Sequence, residues 1–247
     1  MEIVQLDSVG STSSWLASMG DEAPHGLAVM AREQTAGRGQ RGNSWEAEPG
    51  MNITLSLMLR PQGLHPGRQF VISQAVSLAI VDLLDTLVPG RKVSIKWPND
   101  IYIDDRKVCG ILIENSITGL SITRCIVGIG LNVNQLRFLS DAPNPVSVAQ
   151  LTGEAYDVGA LAERMVSGIL DRVADALASE ENAGELAHEY FGRLWRNEGW
   201  WPYHDNNRDV AMEGRIDSVA PTGHITIADR ADGKPYVYAF KEITAII

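Results

Sequence analysis

The sequence predicts an α+β fold with a small all-β unit at its C-terminus. Three observations carry this. Short alternating or apolar runs read as strands at Ile3–Leu6, Leu27–Glu33 and Asn52–Leu59, and again between Val93 and Ile129. A long, very apolar run from Arg68 to Val88, with Phe70, Ile72, Val76, Ile80, Leu83, Leu84 and Leu87, has helical spacing and reads as a central buried helix. After Pro202 only short strands separated by turns remain. The chain has 247 residues, 45% of them hydrophobic, enough for one large domain with a small one attached.

In chain order, Ile3 to Leu6 reads as a strand. Gly10 to Ser14 forms a hydroxyl-rich turn and Trp15 to Met19 a short helix. Ser11 and Thr12 are either caps of that helix or hydrogen-bonding groups for a polar ligand. Leu27 to Glu33 is the next strand, running through Gln34-Thr35-Ala36 into the loop Gly37-Arg38-Gly39-Gln40-Arg41-Gly42-Asn43-Ser44-Trp45. Asn52 to Leu59 alternates strictly, with Ile53, Leu55, Leu57 and Leu59 on one face, as in a half-buried strand. Val93 to Trp97 reads as a strand entering Pro98-Asn99-Asp100. A hairpin of Ile101–Ile103 and Val108–Glu114 turns at Asp104-Asp105-Arg106. Ile122 to Ile129 is a further strand. Helices follow over 157–179 and 184–196, and Gly199-Trp200-Trp201-Pro202 reads as a linker or boundary. Short strands at 210–212, 225–227 and 236–240 have a barrel or sandwich signature.

Charge and cysteine content narrow the function. The net charge of −10 disfavours general attraction to nucleic acid. No segment reads as apolar over the length of a membrane span, and the N-terminus lacks the pattern of a signal peptide. Cys109 and Cys125 are too few for a disulfide framework and read as core thiols, which points to the cytoplasm. Basic charge is carried by sixteen arginines and only five lysines, and Lys96 and Lys107 fall within one dense motif.

Gly37, Gly39 and Gly42 match the dinucleotide-binding G-x-G-x-x-G. That motif must open a helix and be followed by an acidic residue about 20 positions on. Here a strand follows, and Leu55 to Gly63 holds no carboxylate. A kinase would need H-R-D and D-F-G, and neither occurs. A second cluster, Lys96-Trp97-Pro98-Asn99-Asp100, is followed by Lys107, Gly110 and Glu114. Asn99 and Asp100 suit a ribose hydroxyl or a magnesium ion. Gly110 inside a strand suggests close approach of a ligand or another backbone.

Taken with Gly128-Ile129-Gly130-Leu131-Asn132-Val133-Asn134, these motifs resemble, in order and spacing, the biotin protein ligases. The resemblance runs over nearly the whole chain. It implies a mixed, largely antiparallel central sheet packed on helices, as in class II synthetases and biotin–lipoyl ligases. It also implies a catalytic domain over 1–200 and an SH3-like domain over 201–247. The implied reaction has two steps: biotin and MgATP give biotinyl-5′-AMP, which a lysine of a biotin carboxyl carrier domain, from acetyl-CoA carboxylase or a related carboxylase, then attacks. Ser11, Thr12, Gln34, Gly37, Arg38, Gly39, Lys107, Gly110 and Gly130 match positions around biotin. Arg38, Arg41, Trp45, Asn99, Asp100, Lys107 and Asn132 match positions around ATP and the adenylate. Lys107 and Arg38 carry the electrostatic catalysis, and Asp100 is the Mg2+ candidate.

Two departures from the family loop stand out, Gln40 and Asn43 for its second and last arginines. They imply weaker retention of the adenylate unless Arg41 substitutes. Ser13 replaces the usual asparagine after the Ser-Thr pair. The chain starts at the catalytic domain's first strand, so no specific DNA binding is expected, and the assembly is a monomer or homodimer. The alternatives are a lipoate or octanoate ligase of the same fold, and a non-catalytic biotin sensor.

Overall fold

The computed structural model describes residues 3–39, 44–139 and 144–246. Its centre is a seven-stranded sheet in the order β1-β2-β3-β7-β6-β5-β4. The strands are β1 Ile3–Val9, β2 Ala28–Gln34, β3 Ile53–Leu59, β4 Val93–Lys96, β5 Asp100–Ile103, β6 Arg106–Thr118 and β7 Ser121–Leu131. β1 and β2 run parallel, and every other pair is antiparallel. A second, five-stranded antiparallel sheet is built from β8 Trp201–Asp205, β9 Val210–Val219, β10 Ile225–Asp229, β11 Pro235–Tyr238 and β12 Ile243–Ala245, in the order β11-β10-β9-β8-β12.

Among the described residues there are also five α-helices, α1 Thr12–Ser18, α2 Phe70–Leu87, α3 Val148–Thr152, α4 Val158–Ala178 and α5 Glu180–Gly192, and short 3-10 turns at Gly20–Glu22 and Pro66–Arg68. α2 is the core helix the sequence predicts, and it forms one apolar cluster with β3, β7 and α4. The stretch Pro66–Leu87 is in fact long and apolar enough for a membrane span, contrary to the sequence reading, but 72% of that window is buried inside the fold. Its apolarity answers to a sheet on one side and helices on the other. α4 begins where Asp157 accepts a hydrogen bond from the Ala160 amide. α5 begins four residues before the predicted start, because Ser179 caps it by accepting from the Asn182 amide.

Three elements differ from the sequence reading. β3 alternates as expected, but its second face is not solvated: all seven residues are buried, because Ser56 borders a cavity, Met58 packs in one apolar cluster with Leu16 of α1, and Thr54 Oγ1 donates to Ala31 O at 2.6 Å. Of the stretch read as a linker or boundary, Trp201-Pro202 is not a linker but the start of β8, paired with β9 through Trp201↔Gly214 and Pro202↔Glu213. α3, with a reciprocal capping box of Ser147 and Gln150, lies beyond the helices the sequence predicts. Both cysteines are fully buried. Burial pushes the Cys125 thiol up to about 12, so neither is poised to react.

Candidate functional site

The site grows from one cross-strand row. Lys96 pairs with Asp100, Asp100 with Gly110, Gly110 with Gly130, and Gly130 with Thr54. Residues directly opposed on neighbouring strands share a face, and so do residues two apart on one strand. The row therefore places Lys96, Asp100, Gly110, Gly130 and Thr54 on one face, joined by Leu112, Gly128 and Ser56 one step along. The opposite face carries Ile53, Leu55, Cys109, Ile111, Ile129 and Leu131 into the helix-packed core. A cavity of about 910 Å³ opens over the first face.

Glycines make its floor. A Cβ on Gly130 would lie 2.2 Å from the Trp45 ring, one on Gly110 2.9 Å from it, and one on Gly128 2.8 Å from Ser13 Oγ. Only glycine admits such close approach at all three positions. The Trp45 indole lies across Gly110 and Gly130, with its Nε1 buried and without a hydrogen-bond partner. The loop holding Trp45 closes on itself: the Trp45 amide donates to Gly37 O at 3.2 Å, and Arg38 bridges to Ser44.

At the β2–β3 end of the floor lies a neutral polar cluster. Gln34 Oε1 accepts from the Thr12 amide at 2.8 Å and from Thr12 Oγ1 at 3.1 Å. Ser56 Oγ lies 2.7 Å from Thr12 Oγ1 and 2.9 Å from Ser13 Oγ. Ser11 is the N-cap residue of α1, yet its side chain makes no capping hydrogen bond. It is buried and faces the same cavity. The capping explanation thus fails for the Ser11 hydroxyl.

Cations lie toward the other end. Lys107 Nζ is 2.8 Å from Asp100 Oδ1, with both side chains largely shielded, and lies 5.8 Å from the Trp45 ring centroid. Arg38 makes a two-pronged contact with Glu114, at 2.6 and 3.1 Å. Lys96 Nζ donates to Tyr102 Oη at 3.1 Å. Burial pushes the Lys96 ammonium below the ordinary lysine range, more than nearby Asp100 pulls it up. Burial also raises Tyr102 to about 12.

The structure brings the expected residues together around one cavity. Ser11, Thr12, Gln34, Arg38, Gly39, Trp45, Asn99, Asp100, Lys107, Gly110, Gly130 and Asn132 line it, and Gly37 sits beside Trp45 and Gln34. Asn99 is braced: its Nδ2 donates to Ile111 O, while its own carbonyl accepts from the Ile111 amide at 3.0 Å. Asn132 donates to Val146 O at 3.1 Å, leaving a buried Oδ1 without a partner. Arg41, with Gln40, Gly42 and Asn43, lies outside the described residues.

Sequence reasoning missed Ser13, Ser56, Gly128, Glu114 and Lys96 as members of the site. Lys96, Glu114 and Gly128 stand inside the motifs already singled out, so motif membership was an available signal. Ser56 had none, because its importance comes from pairing across the sheet.

Comparison with known proteins agrees with this geometry. The family model of the biotin/lipoate A/B protein ligases matches residues 8–132, half of the chain. The chain is similar to the biotin–[acetyl-CoA-carboxylase] ligase of Paracoccus denitrificans, with 40% identity over 142 residues, 52% of this chain and 55% of that protein. It is also similar to the bifunctional ligase/repressor BirA of Bacillus subtilis, with 37% identity over 158 residues, 62% of this chain and 46% of that protein. The chain spans about half the length of these curated relatives. Its fold is that of the biotin protein ligase from Aquifex aeolicus solved in complex with biotin and ATP. The TM-score is 0.79, with 22% identity over 98% of this chain and 97% of that one. With half its length matched by the family model and its fold shared throughout, this chain belongs to the biotin/lipoate A/B protein ligase family.

Proposed function

We propose that the protein is an ATP-dependent ligase that activates biotin as biotinyl-5′-AMP and transfers it to one lysine of a biotin carboxyl carrier domain. The observation that carries this is the order of polarity along the cavity. Neutral hydrogen-bonding groups (Thr12, Ser13, Gln34, Ser56) stand at one end, bare glycine backbone in the middle, and cations at the other. A molecule with an uncharged urea at one end and a carboxylate at the other matches that order. The names of relatives such as the Paracoccus denitrificans ligase point the same way.

In the first step a biotin carboxylate oxygen attacks the α-phosphorus of ATP. The new bond is carboxylate O to Pα; the bond from Pα to the bridging oxygen breaks, and its electrons leave with pyrophosphate. Two anions must meet in a partly dry site, so fixed cations are required. Lys107 is held over the floor by Asp100 to meet that need, and Arg38 is close enough to the same strand to exchange Glu114 for a phosphate. In the second step the acceptor ε-amine attacks the acyl carbon, loses a proton as the amide forms, and AMP departs.

Magnesium fits the site only as a partner of the nucleotide. Among the described residues no cluster of three metal-ligating side chains exists. Asp100 supplies one hard oxygen, and phosphates and water would supply the rest. Bound there, Mg2+ would neutralise charge on the phosphate chain.

Biotin-dependent exchange of labelled pyrophosphate into ATP tests this proposal. Exchange supported by biotin and not by lipoate or octanoate is the expected result. Exchange supported by lipoate instead would replace it with the lipoate-ligase alternative. Binding of biotin without any exchange would replace it with the sensor alternative.

A further inference from the structure

The two proposed steps place opposite demands on one cavity. The first draws anions toward Lys107 and Arg38, which line it. The second brings in a lysine, whose side chain arrives as an ammonium at neutral pH. Fixed cations that attract the first partner repel the second at short range. The acceptor lysine therefore needs a carboxylate at the cavity mouth, and one that comes free when the phosphate binds.

Among the described residues, the carboxylates that line the cavity are Asp100 and Glu46, and both are committed. Asp100 holds Lys107 at 2.8 Å. Glu46 accepts from the Leu139 amide at 2.8 Å and from Gln135 Nε2 at 3.3 Å. Glu114 differs. Strand alternation puts it on the same face as Gly110 and Leu112, and its partner on β7 is Ile126, two residues from Gly128. It stands about 13 Å beyond Gly110 along β6. The pairing of β5 with β6 has already ended there, at Asp100↔Gly110. Its side chain is 41% exposed, so a lysine from solvent can reach it.

The partner of Glu114 is Arg38, gripped through both prongs at 2.6 and 3.1 Å. Arg38 is 42% exposed. Ion pairs this open to water stabilise little, so a phosphate entering the cavity can take Arg38 from Glu114 at small cost. After that exchange the Glu114 carboxylate is left without its cation, one guanidinium's width from the phosphate.

We propose that Glu114 is the docking carboxylate for the acceptor lysine. Arg38 masks it in the free protein, and the adenylate, by engaging Arg38, releases it to hold the incoming ammonium. One ion pair thereby orders the two half-reactions. The proposal rests on the ligase function proposed above.

The test compares two nucleophiles on preformed adenylate. The full chain is loaded with biotin and MgATP, desalted rapidly, and chased with Nα-acetyl-lysine amide, which is an ammonium, or with hydroxylamine, which is neutral. Glu114→Gln slows consumption of the adenylate by the lysine amide about 5- to 10-fold, an effect between those of exposed and buried charge pairs. Hydroxylamine has no charge to hold, and its rate falls less than about 2-fold. Glu114→Asp keeps the charge and stays within about 3-fold of wild type with the lysine amide. In the first step Glu114→Gln binds ATP about 2- to 5-fold more tightly, because Arg38 has no carboxylate to leave. A wild-type rate with the lysine amide in Glu114→Gln overturns the proposal and leaves the ligase function standing, and so does equal slowing with both nucleophiles. A wild-type chain that forms no adenylate overturns both.

Discussion

Lys107 and Asp100 meet across the β5–β6 pair, with Nζ 2.8 Å from Oδ1. The contact gives a long, flexible side chain one position over the glycine floor. The strand register between β5 and β6 shifts just beside it, between Ile101 and Tyr102, bringing Tyr102 opposite Lys107. On the function proposed above, removing the ammonium would remove charge stabilisation where the α-phosphate reacts. Lys107→Ala is expected to slow adenylate formation by about 100- to 1,000-fold, the range for one preorganised electrostatic donor. Single-turnover release of pyrophosphate measures it. A full rate in Lys107→Ala would remove this residue from the chemistry.

Trp45 lies so close to Gly130 that no ligand fits between them. A ligand seated on the floor must displace the indole. Binding of biotin with ATP is therefore expected to change tryptophan fluorescence, and the change should be lost in Trp45→Phe. Gly130→Ala places a methyl group on the floor itself. It should weaken biotin binding by at least about 10-fold, corresponding to about 1.4 kcal/mol. Calorimetry that finds unaltered biotin affinity in Gly130→Ala would rule out the floor as the binding surface.

Ser56 is fully buried and serves two hydroxyls on α1, those of Thr12 and Ser13. Ser56→Ala leaves both with one partner fewer. The expected cost is about 1–3 kcal/mol of folding stability, read by chemical denaturation. A reduced biotin affinity should accompany it, since the same cluster orients Gln34. An unchanged denaturation midpoint would show that α1 is not tied to the sheet through this contact.

Asp205 anchors the C-terminal sheet. Burial alone would raise its pKa, but hydrogen bonds from Tyr238 Oη at 2.6 Å and from Arg208 outweigh that and hold it down to about 2. An unfolded aspartate titrates near pH 3.9. Because the folded pKa is the lower one, the ionised carboxylate contributes stability above about pH 4, and that contribution is lost as pH falls toward 2. The amount is roughly 2 kcal/mol. Asp205→Asn should lower stability at pH 7, and its gap from wild type should shrink by pH 3. A gap that stays constant between these pH values would contradict the assignment.

The strands and the core helix were legible because their apolar spacing is local, and the site motifs because glycine, arginine and lysine cluster in them. What the sequence could not convey was pairing. Gly110, Gly130 and Thr54 form one row only once β6, β7 and β3 are in register, and nothing at Ser56 announces that it faces Thr12, 44 residues away. β8 was hidden because Pro202 and its flanking tryptophans resemble a linker. In the sheet, the Pro202 carbonyl accepts from the Ile246 amide while the missing N–H goes unneeded. Alternation itself misled at β3, where the second face carries Thr54 and Ser56 yet is buried, Ser56 against the hydroxyls of α1 and Thr54 against Ala31 O.

The central claim is that this cavity activates biotin on ATP. Mass spectrometry of the protein after incubation with biotin, ATP and magnesium tests it most directly, with lipoate in a parallel reaction. The account predicts the mass of biotinyl-5′-AMP and stoichiometric pyrophosphate with biotin, and no adenylate with lipoate. Unreacted biotin and ATP after incubation, or an adenylate formed from lipoate alone, would contradict it.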